Sequence, residues 1–399
     1  MKTIRNILMG LTAVFTLLIG MARADVFTWT GTGGDAEWRN ANNWENQALP
    51  TGTSAGITCE IIISDVENLP SVITGTFNYT SFTYNGTQDL TISTLAATNN
   101  SPSNLGVIYN NSGHNLTIAN ERTLGAGFGV RSGMVTLTGT VSDYVGNISV
   151  VADGDSTDNI VAIVNGYAVA NYGRLSAGGG NTLVNHTSTI AGTGTVRGGA
   201  GVVLVNPDSG GEQKPGGILA PGDPNANDGI GKLTVSGSLI INGANTMDSG
   251  GRLEMQLNNL SSYDQLDVTG NMNINSGHSD RYSRLNLIFD PNTIELGAYY
   301  LFTYGSGASG GVLSGFGTDI SSESPNWSGN LRWYTGVEAN LGTLEDLGYT
   351  WSLSNVLNDI LDPTLGGIIR FEIIPEPSTV ALLGIGILTL ALLRRKRGS

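Results

Sequence analysis

Lys232-Leu233-Thr234-Val235-Ser236-Gly237-Ser238-Leu239-Ile240-Ile241-Asn242-Gly243 reads as a strand, a glycine turn and a second strand. Side chains alternate along an extended chain, so Leu233 and Val235 share one face, and Leu239 and Ile241 share another. The pattern continues in Leu253, Met255 and Leu257, then in Leu266 and Val268. Upstream, Leu90-Thr91-Ile92, Leu116-Thr117-Ile118 and Val135-Thr136-Leu137 repeat one apolar–Thr–apolar triplet at separations of 26 and 19 residues. Turns are expected between strands at Asn242-Gly243, Asn258-Asn259 and Gly270-Asn271. No long amphipathic helix interrupts the body. Strand-turn units of roughly 20 residues predict rungs that bury their inner faces on one another, an all-β solenoid. A β-sandwich, also built from short regular strands, is the alternative.

Composition agrees with many strands and tight turns: 57 glycines and only 13% charged residues. Seven of the 19 basic residues (Lys2, Arg5, Arg23, Arg394, Arg395, Lys396 and Arg397) lie in the two terminal segments, which hold no acids. The body between them keeps 12 basic against 33 acidic residues, a net charge of −21. Such a surface repels nucleic acid and anionic lipid. Cys59 is the sole cysteine, so no intrachain disulfide forms despite an oxidising destination. Beside Ile61-Ile62-Ile63 it reads as a small buried residue.

The termini read as addresses. Lys2 and Arg5 precede an apolar stretch from Ile7 to Gly20, and Ala22-Arg23-Ala24 offers a small-x-small cleavage site before Asp25. Residues 1–24 are therefore expected to be a secretory signal peptide. At the other end stand Pro375-Glu376-Pro377, a nearly apolar run over 378–393, and the basic cluster Arg394-Arg395-Lys396-Arg397. Sixteen helical residues reach roughly 24 Å, short of a bilayer core of about 30 Å. The basic cluster holds its end in the cytoplasm. A simple single-pass anchor would carry the same run. The three-part order, however, resembles the PEP-CTERM sorting domain of Gram-negative bacteria, with Pro375, Glu376 and Pro377 as its namesake motif. That resemblance implies transient insertion in the inner membrane, processing by an exosortase, and a place at the cell surface or in the extracellular matrix. The nucleophilic cysteine would then belong to the exosortase, with this chain as its substrate.

A second resemblance rests on Gly216-Gly217-Ile218-Leu219-Ala220-Pro221-Gly222, on Gly231-Lys232-Leu233-Thr234-Val235-Ser236-Gly237, and on Tyr263-Asp264-Gln265-Leu266-Asp267-Val268-Thr269-Gly270. These are similar to the passenger of autotransporters, and the likeness runs over about residues 211–320. It implies a right-handed parallel β-helix used as a stalk or adhesive surface. Where autotransporters carry a barrel translocator, this sequence has its sorting tag. The resulting layout is a signal peptide (1–24), an N-terminal cap and solenoid (25–210), an autotransporter-like solenoid with a C-terminal cap (211–372), and the sorting tail (373–399).

Trp29, Trp38 and Trp44 crowd the mature N-terminus, either as a carbohydrate platform or as a lid on the first rung. From about Gly315 a second aromatic group, Trp327, Trp333, Tyr334, Tyr349 and Trp351, predicts a C-terminal cap, with a short helix somewhere in 341–361. Catalytic motifs fare poorly. Gly305–Gly310 and Gly307–Gly311, around Ser309, fit phosphate-loop and nucleophile-elbow patterns, but each needs a following helix and meets Val312-Leu313-Ser314-Gly315-Phe316 instead. His114, His186 and His278 are far apart, and none has a second histidine or the cysteine at metal-ligand spacing. Asp153, Asp155 and Asp158, or Asp223 and Asp228, could hold a loop calcium. The latter pair departs from an EF-hand in glycine placement and in Thr234 at its last position. No cofactor, metal or catalytic residue is assigned.

The sequence thus predicts a non-enzymatic exported surface or matrix protein engaged in adhesion or in association with exopolysaccharide and biofilm. Signal peptidase and exosortase would process it, extracellular polysaccharide or surface proteins would be its partners, and nucleic acid would not. A β-helical polysaccharide lyase or glycosidase is the alternative. Ice binding is a further one, disfavoured by irregular Thr-x-Thr spacing.

Overall fold

The computed structural model describes residues 25–50, 59–66, 68–74, 79–95, 106–120, 128–139, 143–144, 148–150, 160–165, 167–170, 175–177, 188–198, 202–204, 217–242, 250–275, 282–306, 312–317, 319–322, 330–334, 336–357 and 366–376. The targeting segments 1–24 and 377–399 lie outside this set.

The chain winds as a solenoid with three faces. One coil runs Val202–Leu204, Gly217–Pro221, Lys232–Val235, and the next runs Leu239–Asn242, Arg252–Asn259, Gln265–Val268. Each strand pairs in parallel with its counterpart one coil on. Among the described residues eleven strands stack in the first sheet, from Asp25–Trp29 to Leu313–Ser314. The second sheet runs from Val72–Thr74 to Leu331–Trp333. Among the described residues, the third begins at Asp143–Tyr144. Parallel stacking of this kind excludes the sandwich, whose strands pair antiparallel. The division drawn at 210/211 falls between strands that pair across it, Val202 with Leu239 and Ser188 with Gly217, so the stack is continuous there.

Register follows the apolar pattern. Leu90, Leu116, Val135, Ala162, Ile190, Leu219, Leu253, Leu285 and Trp333 sit opposite one another in consecutive coils, one column through the second sheet. All nine are buried. The triplets of the sequence are its first three rungs. In the third sheet Val196, Val235, Val268 and Tyr304 form a similar column. Because side-chain period in a strand is two, a slip by one residue would turn every one of these outward, which fixes the register strongly. Gly133 stands where only glycine fits: its φ is +64°, and a Cβ would lie 2.0 Å from the Asn110 carbonyl oxygen.

Parallel winding stops in the third sheet. Gly297–Tyr304 pairs in parallel with Gln265–Val268 but antiparallel with Gly367–Pro375. The latter pairs antiparallel with Tyr349–Leu357, which meets the two-residue strand Ile320–Ser321. The helix of this cap is Val337–Asp346, starting earlier than the expected window and ending inside it; strand Tyr349–Leu357 follows in the same window. Val337, Leu341 and Leu344 lie on its buried face, at i, i+4 and i+7. Asn258-Asn259, expected as a turn, instead closes strand Arg252–Asn259, and the turn falls at Leu260-Ser261. Among the described residues the edge strands are short. Asp143–Tyr144, Leu313–Ser314 and Ile320–Ser321 have two residues each, and Val72–Thr74 and Leu331–Trp333 have three.

Candidate functional site

The last strand, Gly367–Pro375, is where the body hands over to the tail. Ile369, Phe371 and Ile373 alternate inward with no measurable exposure, while Arg370 and Glu372 point outward as a half-exposed ion pair of 3.3 Å. Such a pair is worth about 0–1 kcal/mol, so apolar burial and two antiparallel partners hold the strand. Pro375 sits opposite Tyr349, and the Glu376 N–H donates to the Gly348 carbonyl at 3.0 Å. Pro375 has no N–H to give the ladder, so the Glu376 bond is the last that ties the strand to its partner among the described residues. The sorting triplet thus begins inside a folded strand, with Pro377, residues 378–393 and Arg394–Arg397 beyond the described residues. The signal-cleavage residues Ala22 and Ala24 are beyond them too. Among the described residues no helix is long and apolar enough to cross a membrane.

Residues 374–397 match the PEP-CTERM protein-sorting motif. The match starts at Ile374, two residues before the chain leaves the sheet. It implies an exported chain, processed by exosortase and sorted to the cell surface of a Gram-negative bacterium. Apart from those last strand residues the solenoid has no part in the match, and no curated protein matches the chain.

At the opposite end the three tryptophans are brought together and buried, each 3% exposed or less. Trp29 and Trp38 stack at 5.8 Å, and Trp44 meets both edge-on at 5.0 and 4.6 Å. Trp29 Nε1 donates to the Asn68 carbonyl, and Trp44 Nε1 to that of Trp38. Trp44 also bridges to the backbone of Trp29, the last residue of the edge strand Asp25–Trp29. Asp35 ties the covering loop through Asn43 Nδ2 at 2.6 Å, the Glu37 N–H at 3.1 Å and Asn40 Nδ2 at 3.0 Å. These bonds, that from Asn43 foremost, hold its carboxyl below the ordinary range. A sugar ring needs an open indole face; here each indole is covered by its neighbours.

The remaining sequence candidates do not converge. Cys59 is buried, and His114 lies in an exposed turn beside Asp89 at 3.9 Å. His186, His278, Ser309, Asp153, Asp155 and Asp158 lie outside the described residues. Asp223 accepts from Asn165 Nδ2 and the Asn225 N–H, which makes it a loop anchor, while Asp228 is exposed. No group of three or more His, Cys, Asp or Glu side chains gathers among the described residues.

Two features escaped the sequence reading. A cleft of about 170 Å³ between Gly222–Gly229 and the second sheet is lined by Glu254, Gln256 and Asp264 together with Val161, Pro221 and Ile288. Asp264 accepts the Gly231 N–H at 2.9 Å on one oxygen and the Gln256 N–H at 2.8 Å on the other, tying two coils together. Burial pushes its carboxyl up to about 7 against those two bonds, and nearby Glu254 adds to the rise. Next to the cleft, Arg252, Arg284 and Arg332 stand in register on successive coils. Arg252 lies over the Tyr334 ring at 4.1 Å, and Arg332 over Tyr282 at 3.9 Å. Uneven coil lengths hide both features from any fixed sequence period.

Proposed function

We propose that this is a non-enzymatic surface or extracellular-matrix protein, a strongly acidic solenoid whose side faces meet exopolysaccharide or neighbouring cells. The carrying observation is the handover at Ile374–Glu376, where a sorting motif grows out of the last strand of a capped solenoid. A net charge of −21 keeps such bodies apart in a crowded matrix and directs binding toward uncharged or cationic groups. Replacing Pro375, Glu376 and Pro377 with alanine should leave the chain uncleaved in the membrane fraction, while the unsubstituted chain appears outside the cell, shorter by the tail. Recovery of full-length protein, tail included, from the extracellular fraction of unsubstituted cells would refute the processing step. Binding is tested with the exported body on a glycan array.

The cleft supports a second reading, polysaccharide cleavage, because Asp264 with a raised pKa beside Glu254 is the arrangement acid–base chemistry uses. Against it, both Asp264 oxygens are engaged by backbone N–H groups. A reducing-sugar assay decides: release of sugar ends that is lost in Asp264→Asn would make the protein an enzyme.

A further inference from the structure

Five of the seven exposed large apolar side chains among the described residues lie along one corner of the solenoid, where the second and third sheets meet. Ile288 ends a second-sheet strand there, and Leu260 caps the hairpin one coil earlier. Leu296 precedes Gly297, the first residue of strand Gly297–Tyr304. The Leu260 side chain lies over Gly297, where a Cβ would stand 2.8 Å from its Cδ1. Gly297 in turn pairs with Ile373, so Ile374 is next to this group, and Leu347 adjoins Gly348, whose carbonyl receives the Glu376 N–H. Leu260, Leu296, Leu347 and Ile374 are 40%, 38%, 46% and 46% exposed. Half-buried Tyr263 and Tyr349 flank them. The tail leaves from this same corner, because the last strand runs antiparallel to its neighbour and ends beside that neighbour's start.

We propose that this corner is a bilayer-docking surface, on which the body rests while the uncut tail is inserted. The proposal rests on the reading of 378–393 as a transient membrane span. Geometry then leaves little choice. Glu376 is still tied to Gly348, and two further residues reach the span, at most roughly 7 Å of extended chain. The polar zone flanking a bilayer core is only about 5–7 Å deep on each side. The span is itself about 6 Å shorter than the core, at 1.5 Å per residue, which draws the corner further in. Exposed leucines with tyrosines beside them suit that boundary, where apolar groups enter the acyl region and tyrosine rings sit at headgroup level. Acids at the corner, Glu295, Glu345 and Asp346, make the contact apolar in origin, so it favours lipid without net charge. Strands run across the axis of a solenoid and the tail leaves along a strand. The rod therefore lies along the membrane before release and does not stand on it.

The test uses the full chain in phosphatidylcholine vesicles whose acyl chains carry bromine, a contact quencher. Single substitutions Leu296→Cys, Leu347→Cys, Val312→Cys and Ile387→Cys are labelled with a polarity-sensitive fluorophore. Cys59 is buried, and the unsubstituted chain gives its background. Labels at 296 and 347 should shift to the blue and lose at least half their emission, as should the tail marker at 387. The label at 312, 64% exposed and next to a first-sheet strand, should stay bright. Quenching at 387 without quenching at 296 or 347 overturns docking and leaves the anchor standing; no quenching at 387 overturns both. Equal quenching at 312 shows adsorption without a preferred face, and quenching that needs added exosortase assigns the corner to the enzyme; either result overturns the proposal. Leu296→Glu with Leu347→Glu should abolish quenching at a Leu260→Cys label while circular dichroism is unchanged.

Discussion

Asp264→Asn offers a measurement whose sign is set by the fold. In the unfolded chain Asp264 loses its proton near 3.8, whereas burial holds it until about pH 7 in the folded protein. Between those values the folded state binds more protons than the unfolded state, so stability falls as pH rises. The group's contribution is complete below about pH 3.8 and is lost on passing about pH 7. Three pKa units at 1.36 kcal/mol each amount to about 4 kcal/mol. Asparagine has no such linkage. Its amide turns an N–H toward one of the two donors, Gly231 or Gln256, and costs about 1–3 kcal/mol at every pH. At about pH 4 the unsubstituted chain should therefore be the more stable by that amount; at about pH 8 the order should invert. Urea midpoints for both chains, in one detergent at constant ionic strength across that range, read the difference directly, and groups common to both cancel. A gap between the two that stays constant to within about 1 kcal/mol would refute the reasoning and show that the carboxylate is ionised in its buried place.

Three further outcomes follow from packing. Trp44→Ala should cost about 3–5 kcal/mol in thermal or urea unfolding and promote aggregation as the Asp25–Trp29 edge opens. An unchanged midpoint with lost glycan binding would instead make the indoles a sugar platform. Gly133→Ala should cost at least about 2 kcal/mol, since it puts a side chain at positive φ and against the Asn110 carbonyl; wild-type stability would contradict that close approach. Small-angle scattering should give an elongated body, because the eleven first-sheet strands among the described residues, at about 4.8 Å, make a stack of roughly 48 Å before the caps are added. A symmetric distance distribution would oppose it.

What the sequence displayed and what it hid divide along a physical line. Leu90, Leu116 and Val135 announce themselves because a buried inner face demands the same residue class in each coil, whatever the coil length. Leu233 with Leu266, and Val235 with Val268, do the same. Hairpin and helix boundaries were less legible: Asn258-Asn259 has turn chemistry yet extends a strand, and Val337 opens a helix behind Gly336, which gives no side-chain cap. The motif around Tyr263-Asp264 was visible, but not that Asp264 is buried with a raised pKa, since that depends on the loop Gly222–Ile230 folding over it. Outward columns such as Arg252, Arg284 and Arg332 obey no period, because coils of unequal length bring them into register. The tail was fully legible as an address, whereas its departure from the corner between two sheets depends on a reversal of strand direction that no local residue marks.

The brevity of the edge strands has a consequence for how the molecule keeps company with itself. A stack of parallel rungs is a template, and an open rung recruits another chain as readily as its own next coil, which is the route by which strand-rich proteins become fibres. Among the described residues five sheet edges offer only two or three residues each, and the five-residue edge Asp25–Trp29 is closed at Trp29 by Trp44. Copies crowded at high density are therefore expected not to extend one another end to end. If they act in a matrix as proposed, its cohesion would come from what lies between the rods, and it would loosen without unfolding a single one.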